Sequence, residues 1–335
     1  MVRRMRASST WSALSVASLL AVLVSAACSS SSGSGTAPVA DAGADTSAPA
    51  DDGGSTGDGG GTGDATPADD GGIGGARPVS VHVPPSYVGG TAMPLVVLLH
   101  GYSVTGKTEE LYLNLTALAD TKGFLYAHPD GLVDTQGNQY WNATDACCDL
   151  GGTGVDDSAY LSKVITQIQA KYTVDPKRIF LFGHSNGAFM SYRMACDHAD
   201  QVAAIVSLAG AMWTDVSKCT PKSPVSILEV HGTADQTIDY NGGQIQNHAY
   251  PSAATTVSDW VTFDGCSATA DTSSPALDLD TGLAGAETTV TKYASGCKPG
   301  GHAELWTITG GVHIPQFNAS FSAGAIDFLF AHPKP

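Results

Sequence analysis

The chain has 335 residues, of which 42 % are hydrophobic, 7 % aromatic and 14 % charged, so a wholly disordered chain is excluded. The net charge of −16 has the wrong sign for tracking nucleic-acid phosphates, and no nucleic-acid partner is expected. The length admits one or two domains, and no bilayer-length apolar run follows the N-terminal region.

Arg3, Arg4 and Arg6 open the chain, an apolar stretch covers 11–24, and Ser25-Ala26-Ala27-Cys28 closes it. This is the pattern of a secretory signal peptide, expected over 1–27. Cys28 after the small residues resembles a bacterial lipoprotein signal, in which the cysteine is lipidated and becomes the new N-terminus. Ser25 departs from that pattern, which prefers leucine there, and ordinary cleavage after Ala27 is the alternative. Membrane association is expected only through a lipid at Cys28, and both readings put the mature chain on the envelope surface or outside the cell. Residues 28–76 are mostly Ser, Gly, Ala, Asp, Thr and Pro, with eight aspartates and no base. Such a segment cannot offset its ordering entropy by burial and reads as an extended tether. One catalytic domain is expected over 77–335.

Residues 94–100 (PLVVLLH) form a continuous apolar run, the pattern of a strand covered on both faces. A helix is expected over 108–122, with Leu111, Leu115 and Leu118 on one side, then a strand over 124–127 stopped by Pro129-Asp130-Gly131. An amphipathic helix over 156–172 carries Leu161, Val164, Ile165 and Ile168 on one side. Further strands are read at 178–182 (RIFLF), 203–208, 225–230, 288–293 and 303–308, and helices at 186–196, 253–263 and 319–330. This alternation predicts an α/β fold with a mostly parallel central sheet and helices on both faces. Sites in such sheets lie at the carboxyl ends of strands.

Gly183-His184-Ser185-Asn186-Gly187 follows RIFLF directly and opens a helix. A serine becomes a nucleophile when a sharp strand-to-helix turn exposes it beside a base, and small flanking residues permit that turn. In this architecture the acid and the base follow in the order Ser, Asp or Glu, His. His231-Gly232-Thr233-Ala234-Asp235 follows a strand, and Gly310-Gly311-Val312-His313 precedes the last helix. His313 is therefore the expected base and Asp235 its orienting acid, with Asp239 as the rival acid. His184, His231 and His302 are read as structural. Tetrahedral acyl chemistry needs N–H donors for the oxyanion. The backbone of Asn186 is the first expected donor, and the backbone of Tyr102, after His100-Gly101, is the second. Trp141 is a candidate pocket wall or else a core anchor, and the Tyr102 side chain is a further candidate for lining the pocket.

His100-Gly101, Pro129-Asp130-Gly131, Trp141-Asn142-Ala143, Cys147-Cys148, Val155-Asp156-Asp157, the Ser185 pentapeptide, His231–Asp235 and Gly310–His313 occur in that order. Together they resemble the esterase family of polyhydroxybutyrate depolymerases and feruloyl or acetylxylan esterases, over about 78–330. The resemblance implies a secreted α/β-hydrolase without metal or cofactor, and Ser185, Asp235 and His313 match the family triad. Tyr102 stands where many members have cysteine, and Val312 and Ile314 flank His313 where many have glycine and tryptophan. The implied activity is hydrolysis of carboxylic esters through an acyl-enzyme on Ser185. Expected substrates are esters on plant polysaccharide or hydroxyalkanoate oligomers. A non-catalytic surface binding protein on the same scaffold, or a serine peptidase, is the alternative.

Beyond Cys28 six cysteines remain, an even number that implies disulfides in an exported chain. Cys266 and Cys297 bracket one insertion and are expected to pair. A bond between adjacent cysteines is strained, so Cys147 and Cys148 are expected to pair with Cys196 and Cys219. None of the six shows metal-site spacing with histidines, and no metal is expected.

Overall fold

The computed structural model describes residues 72–335. The expected signal peptide, the lipidation at Cys28 and the tether up to residue 71 lie outside the described residues. Ile73 already packs against the core, and the Gly74 N–H donates to Gln167 Oε1 at 2.9 Å.

The elements run in the order β1 (Val81–His82), β2 (Met93–Leu99), α1 (Gly106–Leu113), α2 (Leu115–Lys122), β3 (Leu125–Ala127), β4 (Leu132–Val133) and β5 (Gln139–Tyr140). Then come α3 (Asp157–Lys171), β6 (Val174–His184), α4 (Asn186–Asp197), β7 (Ala204–Leu208) and β8 (Ser226–Gly232). The chain continues through β9 (Gly243–Ile245), β10 (His248–Tyr250), α5 (Ala253–Asp264), β11 (Thr288–Tyr293), β12 (Ala303–Ile308) and α6 (Ala319–Ala331). Eight strands form one sheet in the order β1-β3-β2-β6-β7-β8-β12-β11. The six central strands are mutually parallel, and the edge strands β1 and β11 run antiparallel to their neighbours.

The doubly covered strands split their side chains by the period of two. Leu95, Val97 and Leu99 of β2 join one buried cluster with Leu161, Val164 and Ile165 of α3, Phe189 and Met190 of α4 and Trp260 of α5. Val96 and Leu98 join the opposite cluster with Leu113, Leu115 and Ala119 from the α1–α2 pair and Phe321, Ala325 and Leu329 from α6. Leu181, fully buried in β6 four residues before Ser185, packs in the first cluster. Leu181→Ala is expected to destabilise the domain by about 2–5 kcal/mol, read as a lower denaturation midpoint in urea.

The helix expected over 108–122 is two helices. Asn114 takes a left-handed conformation (φ 52°), and the Glu110 carboxylate accepts from the N–H groups of Leu115 and Thr116, capping the second helix across the break. The break also changes the buried face, because Leu113 is buried whereas Leu111 is 77 % exposed. The two short hairpins β4–β5 and β9–β10 carry no strong period-two signal. Among the described residues no helix is long and apolar enough to cross a membrane.

Candidate active site

Ser185 sits between the end of β6 and the start of α4 with φ 53° and ψ −120°, a conformation that a non-glycine residue adopts only under tertiary constraint. Its N–H donates to the Leu208 carbonyl at 2.8 Å, tying the turn to β7. The two flanking glycines have steric reasons. A Cβ at position 183 would meet the Gly187 carbonyl oxygen at 2.1 Å, and one at 187 would meet the Leu99 carbonyl oxygen at 2.0 Å. Glycine at both positions lets β6, α4 and β2 close around the serine.

His313 lies between β12 and α6, and its Nε2 is 2.9 Å from Ser185 Oγ. Its Nδ1 is 2.7 Å from Asp235 Oδ2, just beyond the carboxyl end of β8. The other oxygen, Asp235 Oδ1, accepts from the N–H groups of Thr237 (2.8 Å) and Ile238 (2.9 Å), which fixes the carboxylate plane. Asp239 makes a different contact: it accepts from Asn241 N–H at 2.8 Å within its own turn. The loops that carry His313 and Asp235 approach closely because position 232 is glycine, where a Cβ would lie 2.2 Å from the Gly311 carbonyl oxygen. Burial opposes the charge on Asp235, but the bonds from His231, His313 and Ile238 N–H outweigh it and hold the carboxyl well below its ordinary range. Burial moves His313 below its ordinary 6.5; the Asp235 bond opposes this and the nearby His184 charge reinforces it.

The loop after β2 brings Gly101 beside Ser185, where a Cβ would lie 3.5 Å from the Ser185 Cβ. Among the described residues the backbone N–H groups of Tyr102 and Asn186 have no acceptor in the chain. His100 holds this loop: its Nδ1 donates to the Gly101 carbonyl at 2.8 Å, and its Nε2 accepts from Gly131 N–H at 2.9 Å. The Tyr102 hydroxyl donates to Asp134 Oδ2 at 2.6 Å, and burial followed by the Asp134 carboxylate pushes the phenol up to about 12.

Trp141 is not a pocket wall. It is fully buried, its Nε1 donates to the His100 carbonyl at 3.2 Å and its ring stacks on Tyr160, so it anchors the loop that carries it. Asn186 completes that anchor. Its Oδ1 accepts from Trp141 N–H (2.7 Å), and its Nδ2 donates to the Trp141 carbonyl (2.9 Å) and to Cys147 Sγ (3.5 Å).

The expected pairing of Cys147 and Cys148 with Cys196 and Cys219 is corrected: Cys147 is bonded to Cys148. The 141–148 loop that carries this bond folds back on itself, with Ala143 N–H on the Cys147 carbonyl and Cys148 N–H on the Trp141 carbonyl. Cys196 near the end of α4 and Cys219 are buried in one cluster and bond to each other, with Cα atoms 5.1 Å apart. Cys266 is bonded to Cys297.

Two buried histidines read as structural reach the site. His184 lies between Glu109 Oε1 (2.9 Å from Nδ1) and the His313 carbonyl oxygen (3.1 Å from Nε2). His231 lies between Glu229 Oε1 (3.0 Å) and the Ile238 carbonyl (2.9 Å), with Asp235 Oδ2 at 3.5 Å. Burial opposes charge on His231, but Asp235 and Glu229 outweigh it and push its pKa up to about 10. A charged residue inside an otherwise apolar strand, Glu229 in β8, is the signal in the sequence that marks this second pair. His302 is remote in its contacts, bonding Glu304 at 2.9 Å.

Beside the Asn186-clamped loop lie three adjoining hollows of about 290, 180 and 400 Å³, all bordered by Thr144 and Asp145. Their lining is mostly polar, including Asn142, Asp215 and His248, with Trp213 as the aromatic member. Thr144 Oγ1 is buried there without a hydrogen-bond partner. Among the described residues no group of three or more His, Cys, Asp or Glu side chains is arranged to hold a metal ion.

A family model described as Phospholipase/Carboxylesterase matches residues 89–271. The chain is 29 % identical over 245 residues to feruloyl esterase B of Piromyces equi, covering 71 % of this chain and 42 % of that protein. It is 30 % identical over 167 residues to a bifunctional acetylxylan esterase/xylanase of Neocallimastix patriciarum, covering 50 % of this chain and 22 % of that protein. The chain thus spans less than half the length of these curated relatives. Among solved structures, the acetyl xylan esterase from Aspergillus awamori superposes with a TM-score of 0.53 at 16 % identity, over 75 % of this chain and 93 % of that one, a likeness of fold.

Proposed function

Since the chain belongs to the Phospholipase/Carboxylesterase family of α/β-hydrolases, we propose that it is a serine carboxylic ester hydrolase working through an acyl-enzyme on Ser185. The observation that carries this reading is the continuous chain Ser185–His313–Asp235, at 2.9 and 2.7 Å, on a strained strand-to-helix turn.

Ser185 Oγ attacks the ester carbonyl while its proton passes to His313 Nε2, and Asp235 stabilises the resulting imidazolium. The carbonyl oxygen, now an oxyanion, accepts from the free N–H groups of Tyr102 and Asn186. Collapse breaks the ester C–O bond, and His313 returns the proton to the departing alcohol. Water then attacks the acyl-enzyme, gives a proton to His313, and releases the acid with Ser185 regenerated. His313 must be neutral to accept the first proton. Because its pKa lies below 6.5, kcat/KM should rise with pH through an acid limb centred below 6.5. A limb centred above 7 in the pH profile would contradict the assignment of the base.

Two observations support a substrate class. The names of the relatives point to feruloyl and acetyl esters, and the polar hollows beside the Asn186 loop suit a sugar alcohol better than an apolar polyester. Esters on plant polysaccharide are therefore the proposed substrates. Methyl ferulate, acetylated xylan and hydroxybutyrate oligomers, compared by kcat/KM, test this; preference for the oligomers would overturn the sugar reading. The three disulfides support action outside the reducing cytoplasm. The lipid at Cys28 is part of this reading. Fatty-acid probe labelling should be lost in Cys28→Ser, and unlabelled wild type would leave plain secretion.

A further inference from the structure

We propose that Glu109 and His184 form a buried carboxylate–imidazolium pair that holds the base loop, the nucleophile turn and the oxyanion loop together, making both positioning residues for the hydrolysis proposed above, on which this inference rests. The two partners of the His184 ring, Glu109 Oε1 at 2.9 Å and the His313 carbonyl oxygen at 3.1 Å, are both pure acceptors when Glu109 is ionised, the state that His184 and the Gly101 N–H favour. A neutral imidazole has one N–H, so both bonds exist only when both ring nitrogens are protonated. The two side chains are only 7 % and 3 % exposed, and a charge buried to that degree persists only when paired and hydrogen-bonded. Both partners shift toward the charged pair. Burial opposes charge on each, but Glu109 raises His184, while His184 and Gly101 N–H lower Glu109.

The pair reaches all three loops. Glu109 Oε2 accepts from Gly101 N–H at 3.1 Å, one residue before the proposed oxyanion donor Tyr102. His184 adjoins Ser185 in the chain and donates to the carbonyl of His313, the base itself. Helix α1, which carries Glu109, makes a second tie to the base loop through the Tyr112 hydroxyl, which donates to the Pro315 carbonyl at 2.8 Å. The groups facing His184 are Glu109 and Tyr112 from α1, His313 from the base loop, and Asp235 from the loop after β8; His100 at the end of β2 faces Glu109. His313 in turn faces Asp235, His231 and His184, whose ring centroid is 5.2 Å away. A positive ring at that distance disfavours protonation of His313 and so extends its use as a base to lower pH.

The variants are His184→Gln and Glu109→Gln, assayed with p-nitrophenyl acetate from about pH 4.5 to 9. His184→Gln removes a positive charge and leaves Glu109 uncompensated, so His313 becomes easier to protonate. The acid limb of kcat/KM should move up by about half a pH unit or more, with kcat down roughly 10- to 100-fold and KM changed less than about threefold. Glu109→Gln should move the limb the same way. A fall in kcat with an unmoved limb would reduce the pair to scaffolding and overturn the proposal. Nitrogen NMR of the wild-type imidazoles reads the pair without any variant. Both His184 nitrogens should stay protonated from roughly pH 5 to 8 while His313 titrates, and a neutral His184 tautomer would overturn the proposal even if every variant failed to fold. Wild-type protein without ester turnover would instead overturn the proposed function, with the imidazole spectrum still deciding the pair.

Discussion

Ser185→Ala is expected to abolish ester turnover by at least about a thousandfold while leaving the fold intact, and His313→Ala should do the same. The serine hydroxyl is the atom that would bond to the substrate, so its loss removes the covalent route and leaves only the oxyanion donors and substrate binding. The fold should survive because the Ser185 contacts that hold the turn are made by its backbone: N–H to the Leu208 carbonyl, and carbonyl to the Ala188 N–H. Alanine carries the same Cβ into the same φ of 53°, so the strain of the turn is unchanged. Circular dichroism and the urea midpoint should match wild type while kcat for p-nitrophenyl acetate collapses. Near-native turnover in a cleanly purified Ser185→Ala protein would mean that the chain hydrolyses esters through another group. Retention of labelling by an organophosphonate in that variant would identify another nucleophile.

The parts of the site that were readable in the sequence are those written in contiguous residues. PLVVLLH and RIFLF are runs buried on both sheet faces, and each ends at a loop that the sheet must present at its carboxyl edge. The glycines around Ser185 leave a local imprint for the same reason: each meets backbone where any side chain would collide. What the sequence hid is long-range pairing. Glu109 and His184 are 75 positions apart, and nothing in the spacing around either one announces the other. Trp141 carries the same letters whether it faces a substrate or the underside of its own loop. Only the contacts with His100, Tyr160 and Asn186 decide. Cys266 and Cys297 pair as expected, and the other four cysteines were hidden differently. The rule against adjacent pairing does not hold in the 141–148 loop, which folds back on itself and carries the Cys147–Cys148 bond. The break at Asn114 was hidden because apolar spacing survives a break of one residue, while the buried face moves from Leu111 to Leu113.

Asp235→Asn should lower kcat by about three to four orders of magnitude, whereas Asp239→Asn should change it less than about threefold. The reason lies in which groups face each oxygen. Asp235 Oδ1 accepts two backbone N–H bonds from Thr237 and Ile238, and an asparagine would keep its carbonyl oxygen there. Its amide nitrogen would then take the place of Oδ2, which faces His313 Nδ1 at 2.7 Å and His231 Nε2 at 3.5 Å. An N–H donor opposite His313 selects the tautomer protonated on Nε2, and that nitrogen then has no lone pair for the Ser185 proton. The substitution also removes one of the two carboxylates that keep His231 charged in the interior, which adds a loss of stability. Asp239 has neither role: its carboxylate accepts from the Asn241 backbone in an exposed turn. Kinetics on the two variants beside thermal unfolding curves separate the outcomes. A large kcat defect in Asp239→Asn with near-normal Asp235→Asn would transfer the orienting role to Asp239 and require the loop after β8 to rearrange when substrate binds.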